Sequence, residues 1–493
     1  MWYELLLGRH NIFVAVHALG PNDWHRNSIA DMSTPTNPPC AECQQLQAQL
    51  NALQAELVAL RAQLAAARKT SSTSSKPPSS DIVKPTPAPN PDGSKRSIGG
   101  QPGHPKHDRI PFPPEQVTRF EEHPLEVCPC CSGSLQRNGH LAHVVQQVDI
   151  QKPFLIVEQH TSLEYWCHRC EKSFKAPMPT HIQKGGLVGV ELTALIAFMK
   201  GVCHASFSTT RTFLRDVVGV TISRGELSKI IGKVSAALEQ PYEELLRRLP
   251  DEAILNVDET GHKNNGERWW TWCFRAELYT LYHIDAHRSG DVLMDILGKE
   301  FQGILGCDYF SAYRRYMREC GVRLQFCLAH LIRDIKFLTT LPDERDRRYG
   351  EDLRVAVKEL FAVIHQRETL SDVVFQVRLQ AARDRMMRIG LAGPATQHGQ
   401  NMQKRFVDHG SAYFAFVTTP GVEPTNNLAE QAIRFVVIDR HITQGTRSEQ
   451  GRQWNERIWT VIATCVKQGK SVCAFLREAV GNWFEEKPAP SLV

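Results

Sequence analysis

The stretch Ala253-Ile254-Leu255-Asn256-Val257-Asp258-Glu259 is an apolar run ending in two carboxylates, and Ile304-Leu305-Gly306-Cys307-Asp308 repeats the pattern with a third. Short apolar runs bounded by polar residues read as buried strands. Between the two runs lie further strand candidates, Trp269–Phe274 and Leu278–Ile284, set off by turns at Asn264-Asn265-Gly266 and around Glu277. A helical pattern near Asp291–Leu297 precedes the run at Ile304. The predicted order is three antiparallel-capable strands, a helix and a fourth strand.

That order matches a ribonuclease-H-like core, in which carboxylates at strand ends face a common cleft. Hard oxygen ligands at Asp258 and Asp308 suit Mg2+ or Mn2+. A two-metal site needs a third carboxylate, and Glu430 is the best placed. Pro424-Thr425-Asn426-Asn427 just before it can start and cap a helix that lays the glutamate against the cleft. Forty-nine residues lie between Asp258 and Asp308, enough for the elements just read, and 121 lie between Asp308 and Glu430. Helical patterns at Glu351–Gln366 and Asp372–Arg388 explain the excess as an inserted helical subdomain. A lone acid is usually plain surface charge, so the weight rests on the three together.

The surrounding composition is that of an ordinary soluble protein: 493 residues, 42% hydrophobic and 23% charged, with a net charge of +5. The length predicts two to four domains, from ~150 residues per domain. The longest apolar run, 186–199, is interrupted by Glu191 and is too short to cross a bilayer, so no membrane partner is expected. Glu4, Arg9 and His10 break the apolar N-terminal patch, no secretory signal is read, and the cytoplasm is the expected compartment. Residues 1–31 lack periodicity and Met32 opens text that resembles a natural start, so this front piece reads as an extension that is not native. In a reducing compartment the fourteen cysteines are expected as thiols or metal ligands.

Leu46, Leu50, Leu53, Leu57, Leu60 and Leu64 recur at alternating steps of four and three on a segment free of Gly and Pro. This a/d seam predicts a coiled coil and self-association, with strand number left open. From Thr70 to Pro114 follow eleven prolines and eight serines, a basic tether that cannot hold regular structure. Cys128/Cys131 and Cys167/Cys170 are paired C-x-x-C knuckles, which predict a structural Zn2+ site in a zinc ribbon whose β-rich part covers 144–156. Cys130 and His168 lie inside the knuckles, and Cys40/Cys43 has no partner pair. An amphipathic segment from Ser208 to Val217, a turn at Val218-Gly219-Val220 and a helix opened by Thr221-Ile222-Ser223 fit a helix-turn-helix, a pattern shared with plain helical hairpins.

Seven strings in consistent order now carry a resemblance: Ser74–Asp81 (SSKPPSSD), Gly99–His104 (GGQPGH), the cysteine knuckles, Asn256–Thr260 (NVDET), Cys307–Tyr313 (CDYFSAY), Cys327–His330 (CLAH) and Asn426–Arg434 (NNLAEQAIR). The sequence resembles transposases of the bacterial insertion-sequence-66 family over about residues 44–480. The resemblance implies a leucine-zipper-like N-terminus, a zinc-binding region and a DDE catalytic domain with Asp258, Asp308 and Glu430 as its triad, working with two Mg2+ (or Mn2+) ions. It implies a nucleoid-associated enzyme that binds terminal inverted repeats, cleaves strands and transfers them to target DNA, as a homo-oligomer and alongside accessory proteins of the same element. Cys327 and His330 resemble the C-x-x-H signature of several DDE families. They are read as active-site wall or DNA contact rather than metal, because two further ligands are missing. The family commonly has a basic residue after the glutamate, where Gln431 stands here; the DNA contact is then expected among Arg434, Arg440, Arg447, Arg452 and Arg457. Arg224, Lys229 and His330 complete the expected DNA contacts.

The expected fold class is therefore multidomain α/β. An N-terminal extension covers 1–39, a coiled coil 40–69, a linker 70–114, a zinc ribbon 115–183 and a helix-turn-helix-like region 184–250. The ribonuclease-H-like core covers 251–334 and 411–445, split by the helical insertion 335–410, and a helical region 446–493 ends the chain. Two other classes share these features, a DNA-binding regulator that does not cut and a ribonuclease-H-like nuclease without strand transfer. Residues 251–310 hold eleven acids against five Lys/Arg, a net −6 that leaves +11 for the rest. An acidic patch in a basic surround suits a protein holding both cations and a polyanion.

Overall fold

The computed structural model describes residues 41–67, 112–117, 120, 130–132, 134, 146, 155–169 and 171–493. By itself, α1 (Ala41–Ala67) is one uninterrupted helix whose six seam leucines are each 47–63% exposed. The front extension, nearly all of the Pro/Ser tether and the 144–156 strand expectation lie largely outside the described residues. So do Cys128, Cys170 and the side chain of Cys167; Cys131 is exposed. Strands β1 (Glu164–Cys167) and β2 (Lys172–Lys175) form an antiparallel hairpin that brackets the second knuckle.

A helical layer comes next: α2 (Thr180–Gly185), α3 (Val190–Gly201), α4 (Phe207–Phe213), α5 (Arg224–Ala237) and α6 (Glu239–Arg248). Thr180–Gly201 is long and apolar enough to cross a membrane by length and composition. Gly186, at φ 68°, breaks that stretch, and Ala194, Ile196 and Ala197 on α3 are buried in the core. The α4 chain runs on through a π-turn (Leu214–Val218) to Gly219 at φ 89°. The next helix starts later than the sequence predicts. Thr221 and Ile222 lie outside it and Ser223 is the cap, its hydroxyl accepting the Glu226 N–H.

The central sheet comprises β3 (Ile254–Asn264), β4 (Glu267–Arg275), β5 (Thr280–Asp285), β6 (Ile304–Cys307) and β7 (Arg323–Phe326), with helices α7 (Gly290–Leu297) and α8 (Ser311–Cys320) in its connections. Strand order is β5-β4-β3-β6-β7, antiparallel among the first three and parallel from β3 through β7. Asn265 and Gly266 both take positive φ, as a two-residue hairpin twisting with its strands requires. Asp258 was expected at a strand end, but β3 continues six residues beyond it, paired to β4. What ends there is the parallel neighbour, since β6 meets β3 only from Ile254 to Asn256. The cleft opens where β6 stops, so the physical requirement of a strand edge is met by the partner strand.

After β7 come α9 (Leu328–Leu338), α10 (Glu344–Ile364), α11 (Asp372–Gly390), α12 (Gln397–His409), α13 (Ala415–Thr418), α14 (Asn427–Thr443), α15 (Glu449–Lys467) and α16 (Val472–Phe484). Buried Ala429, Ile433 and Val436 form the core-facing side of α14. Helix α15 runs beside the sheet edge. The N–H groups of Thr280, Tyr282 and Ile284 donate to Thr464 Oγ1 (3.2 Å), Thr460 Oγ1 (3.1 Å) and Glu456 Oε1 (2.7 Å). Every second residue of a strand and every fourth of a helix advance by about 6–7 Å, so one helix face matches the whole edge.

Candidate active site

Asp258 sits on β3 and Asp308 directly follows β6, with its Oδ1 accepting the Phe310 N–H at 2.8 Å. Glu430 occupies the first turn of α14. The three expected acids are thus brought to one place, close enough that Asp308 and Glu430 both raise the proton affinity of Asp258. Burial is the largest cause of that rise, followed by the charges of Glu259, Asp308 and Glu430. Burial also raises Asp308 and Glu430 from their ordinary values. Carboxylates held together against their own repulsion are the ordinary signature of a cation site.

Asn426 fixes the approach of α14, and it does so differently from the cap expected of it. Its side chain makes no capping bond. Instead its Nδ2 donates to Val257 O at 2.8 Å, its Oδ1 accepts from Asn256 Nδ2 at 3.0 Å, and its backbone N–H donates to Cys327 Sγ at 3.1 Å. Gly306 makes room for this link, because a Cβ there would lie 2.4 Å from Asn256 Nδ2. The helix carrying Glu430 is therefore tied to the strand carrying Asp258.

Glu259, whose role the sequence did not reveal, lies behind the acids. Its Oε1 accepts Arg288 Nε and Nη2 at 2.8 and 2.6 Å, and its Oε2 accepts the Tyr313 hydroxyl at 2.5 Å. Burial, then the charge of Asp308, pushes it to about 7, opposed by Arg288. The Arg288 guanidinium stacks on Phe310 (3.9 Å) and Trp270 (4.6 Å). Beyond it opens a recess of about 300 Å³ lined by Arg288, Arg314, Arg315 and Arg318. Tyr313 was visible in the CDYFSAY string, whereas nothing in the sequence marks Arg288.

His330 lies beside Glu430, 3.5 Å from Nδ1 to Oε1, with Arg333 Nη2 at 3.9 Å. Burial and the Arg333 charge lower its pKa to about 4, so it is neutral at pH 7. Of the other expected DNA contacts, Arg434 and Arg447 are exposed. Lys229 is exposed beside Glu226, and Arg224 Nη2 donates to Ser208 Oγ at 2.5 Å. Arg440 is turned to β3, donating to Thr260 Oγ1 and Gly261 O. Arg452 and Arg457 are committed to Glu449 and Glu456, and to Ser235 and Glu239, respectively.

A mixed α/β chain with acids gathered at the middle of its sheet agrees with a multidomain α/β transposase, a nucleic-acid-processing enzyme. Residues 185–454 match the family model described as Transposase IS66 family, more than half of the chain, and the chain belongs to that family. Residues 29–110 match a family of unknown function (DUF6444). Among curated proteins, the chain is similar to the uncharacterized protein y4hP of Sinorhizobium fredii (strain NBRC 101917 / NGR234). The two are 24% identical over 399 residues, covering 72% of this chain and 70% of that protein.

Proposed function

We propose that the protein is a DDE transposase that binds the terminal inverted repeats of its element, cleaves the strand at each end and joins it to target DNA. The observation that carries this is the convergence of Asp258, Asp308 and Glu430 from β3, the end of β6 and the first turn of α14. The β5-β4-β3-β6-β7 order, antiparallel then parallel, supports a ribonuclease-H-like core. The acids suit divalent cations, Mg2+ or Mn2+. They are hard oxygen donors crowded together from three elements of the fold. Two such ions would supply electrostatic stabilisation of the phosphoryl transition state.

The chain's own part is positioning. Asp258, Asp308 and Glu430 set the cleavage centre, and Glu259 with Arg288 and Tyr313 braces β3 against the Asp308 segment. The arginine-lined recess, about 300 Å³, suits a backbone phosphate beside that centre. Water attack breaks the P–O3′ bond to leave a 3′-hydroxyl and a 5′-phosphate. The 3′-hydroxyl then attacks a target phosphodiester and displaces its 3′-oxygen, so one bond forms for each broken. Helices α4 and α5 form a helix-turn-helix-like unit for end recognition, with Arg224 and Lys229 on it. The β1–β2 hairpin supports a structural Zn2+ site at Cys128, Cys131, Cys167 and Cys170, and a second copy pairs through α1.

Asp258→Asn, Asp308→Asn and Glu430→Gln are each expected to reduce strand cleavage of terminal-repeat DNA at least about a hundredfold. End binding in a mobility-shift assay is expected to persist. Full cleavage by any one of them would remove that residue from the centre.

A further inference from the structure

The C-x-x-H pair at Cys327 and His330 offers too few ligands by sequence alone, but the fold brings a third. Cys327 caps the start of α9, His330 lies in its first turn, and Glu430 arrives from the first turn of α14. The thiol sulfur, a ring nitrogen and a carboxylate oxygen all lie within 4.8 Å of one another. His330 Nδ1 and Glu430 Oε1 face each other at 3.5 Å, too far to bond, and neither buried atom has a hydrogen-bond partner among the described residues. Two ligands on a tetrahedral Zn2+ with bonds of about 2.0–2.1 Å stand roughly 3.4 Å apart, close to the separation found. Cys327 Sγ accepts the Asn426 N–H at 3.1 Å, which fixes the sulfur at the start of both helices. On the open side lies a cavity of about 190 Å³ bordered by Asp308, Cys327 and His330.

We propose that Cys327 Sγ, His330 Nδ1 and Glu430 Oε1 form a site for one borderline transition ion, Zn2+ foremost, with its fourth position open to that cavity. A sulfur, a nitrogen and one oxygen make a softer set than three carboxylates, so the site selects against Mg2+. Binding here does not depend on the strand-cleavage chemistry proposed above, although both draw on Glu430.

The test is metal content of the full chain, stripped by chelator, re-equilibrated with Zn2+ and measured without DNA. Cys327→Ser and His330→Ala are each expected to hold one Zn2+ per chain fewer than wild type, with circular dichroism unchanged. Unchanged metal content in both would overturn the site. Should either variant unfold, Co2+ titrated into the Cys128→Ser/Cys131→Ser chain is the second measurement. A near-ultraviolet thiolate-to-cobalt band is expected there, and its absence also overturns the site. Cleavage lost in Glu430→Gln, alongside unchanged Zn2+ content in Cys327→Ser and His330→Ala, would sink this site while leaving the cleavage assignment standing.

Discussion

Glu456 shows how a single side chain can make stability depend on pH. It is 5% exposed, accepts the Ile284 N–H at 2.7 Å and faces Arg452 Nη1 at 2.7 Å. Burial lifts its pKa from 4.5 to about 7, with Arg452 the main opposing influence. The folded chain therefore keeps a proton that the unfolded chain gives up at lower pH. Between those values the unfolded state binds fewer protons, so stability falls as pH rises from about 4.5 to 7 and then levels. The expected loss is on the order of 1–3 kcal/mol, from the free energy of a shifted proton. Glu259, also raised to about 7, adds in the same direction. Glu456→Gln keeps the acceptor for Ile284 and removes the titration, so its urea midpoints at pH 5 and pH 8 should differ less than those of wild type. An unchanged pH difference would locate the dependence elsewhere. At this scale Asp258, Asp308 and Glu430 were legible because acids closing apolar runs, or opening a capped helix, have a local pattern. Glu259 was not, because what defines it is Arg288, 29 residues away with no motif around it.

The packing of α15 along β5 carries the element-scale prediction. Thr460 and Thr464 each accept a buried strand N–H, so Thr460→Val or Thr464→Val keeps the shape and strands a donor. Each is expected to cost about 1–2 kcal/mol, read from urea midpoints, with strand spacing unchanged. A neutral result for both would mean that the strand N–H groups find other acceptors. Elements with local signals were readable, among them the Asn265-Gly266 hairpin, the apolar runs of β3 and β6, and the helical periods behind α10 and α11. The far half of β3 was missed, since Thr260, Gly261 and His262 break the apolar run and are held by distant partners: Arg440 Nη1 donates to Thr260 Oγ1, and His262 Nε2 bonds Thr446 Oγ1. Strand β7 was missed for a similar reason. Its buried Gln325 looks polar in sequence, yet it bonds Tyr413 O and the Phe416 N–H nearly ninety residues on.

For the molecule as a whole, the exposed leucine seam of α1 asks for a partner that a single chain does not supply within that helix. On the proposed pairing through α1, wild type sediments as an oligomer, and Leu50→Asp with Leu57→Asp is expected to sediment as a monomer with the Tm of the remainder unchanged. A mass unaffected by the pair would place self-association elsewhere. The α/β class could be read in advance, because alternating strand and helix patterns are local. The closing of the sheet edge by α15 could not, because those contacts span much of the chain. That span governs when the protein becomes competent during its own synthesis. The bond from Asn426 to Val257 joins residues 169 apart, and that from Thr280 to Thr464 residues 184 apart. At about 5–20 residues per second, roughly ten to thirty seconds of translation separate the first acid-bearing strand from the helix that brings the last acid. Until then a nascent chain carries Asp258 and Asp308 without the helix that brings Glu430, and the acid cluster is complete only once residue 430 has been added.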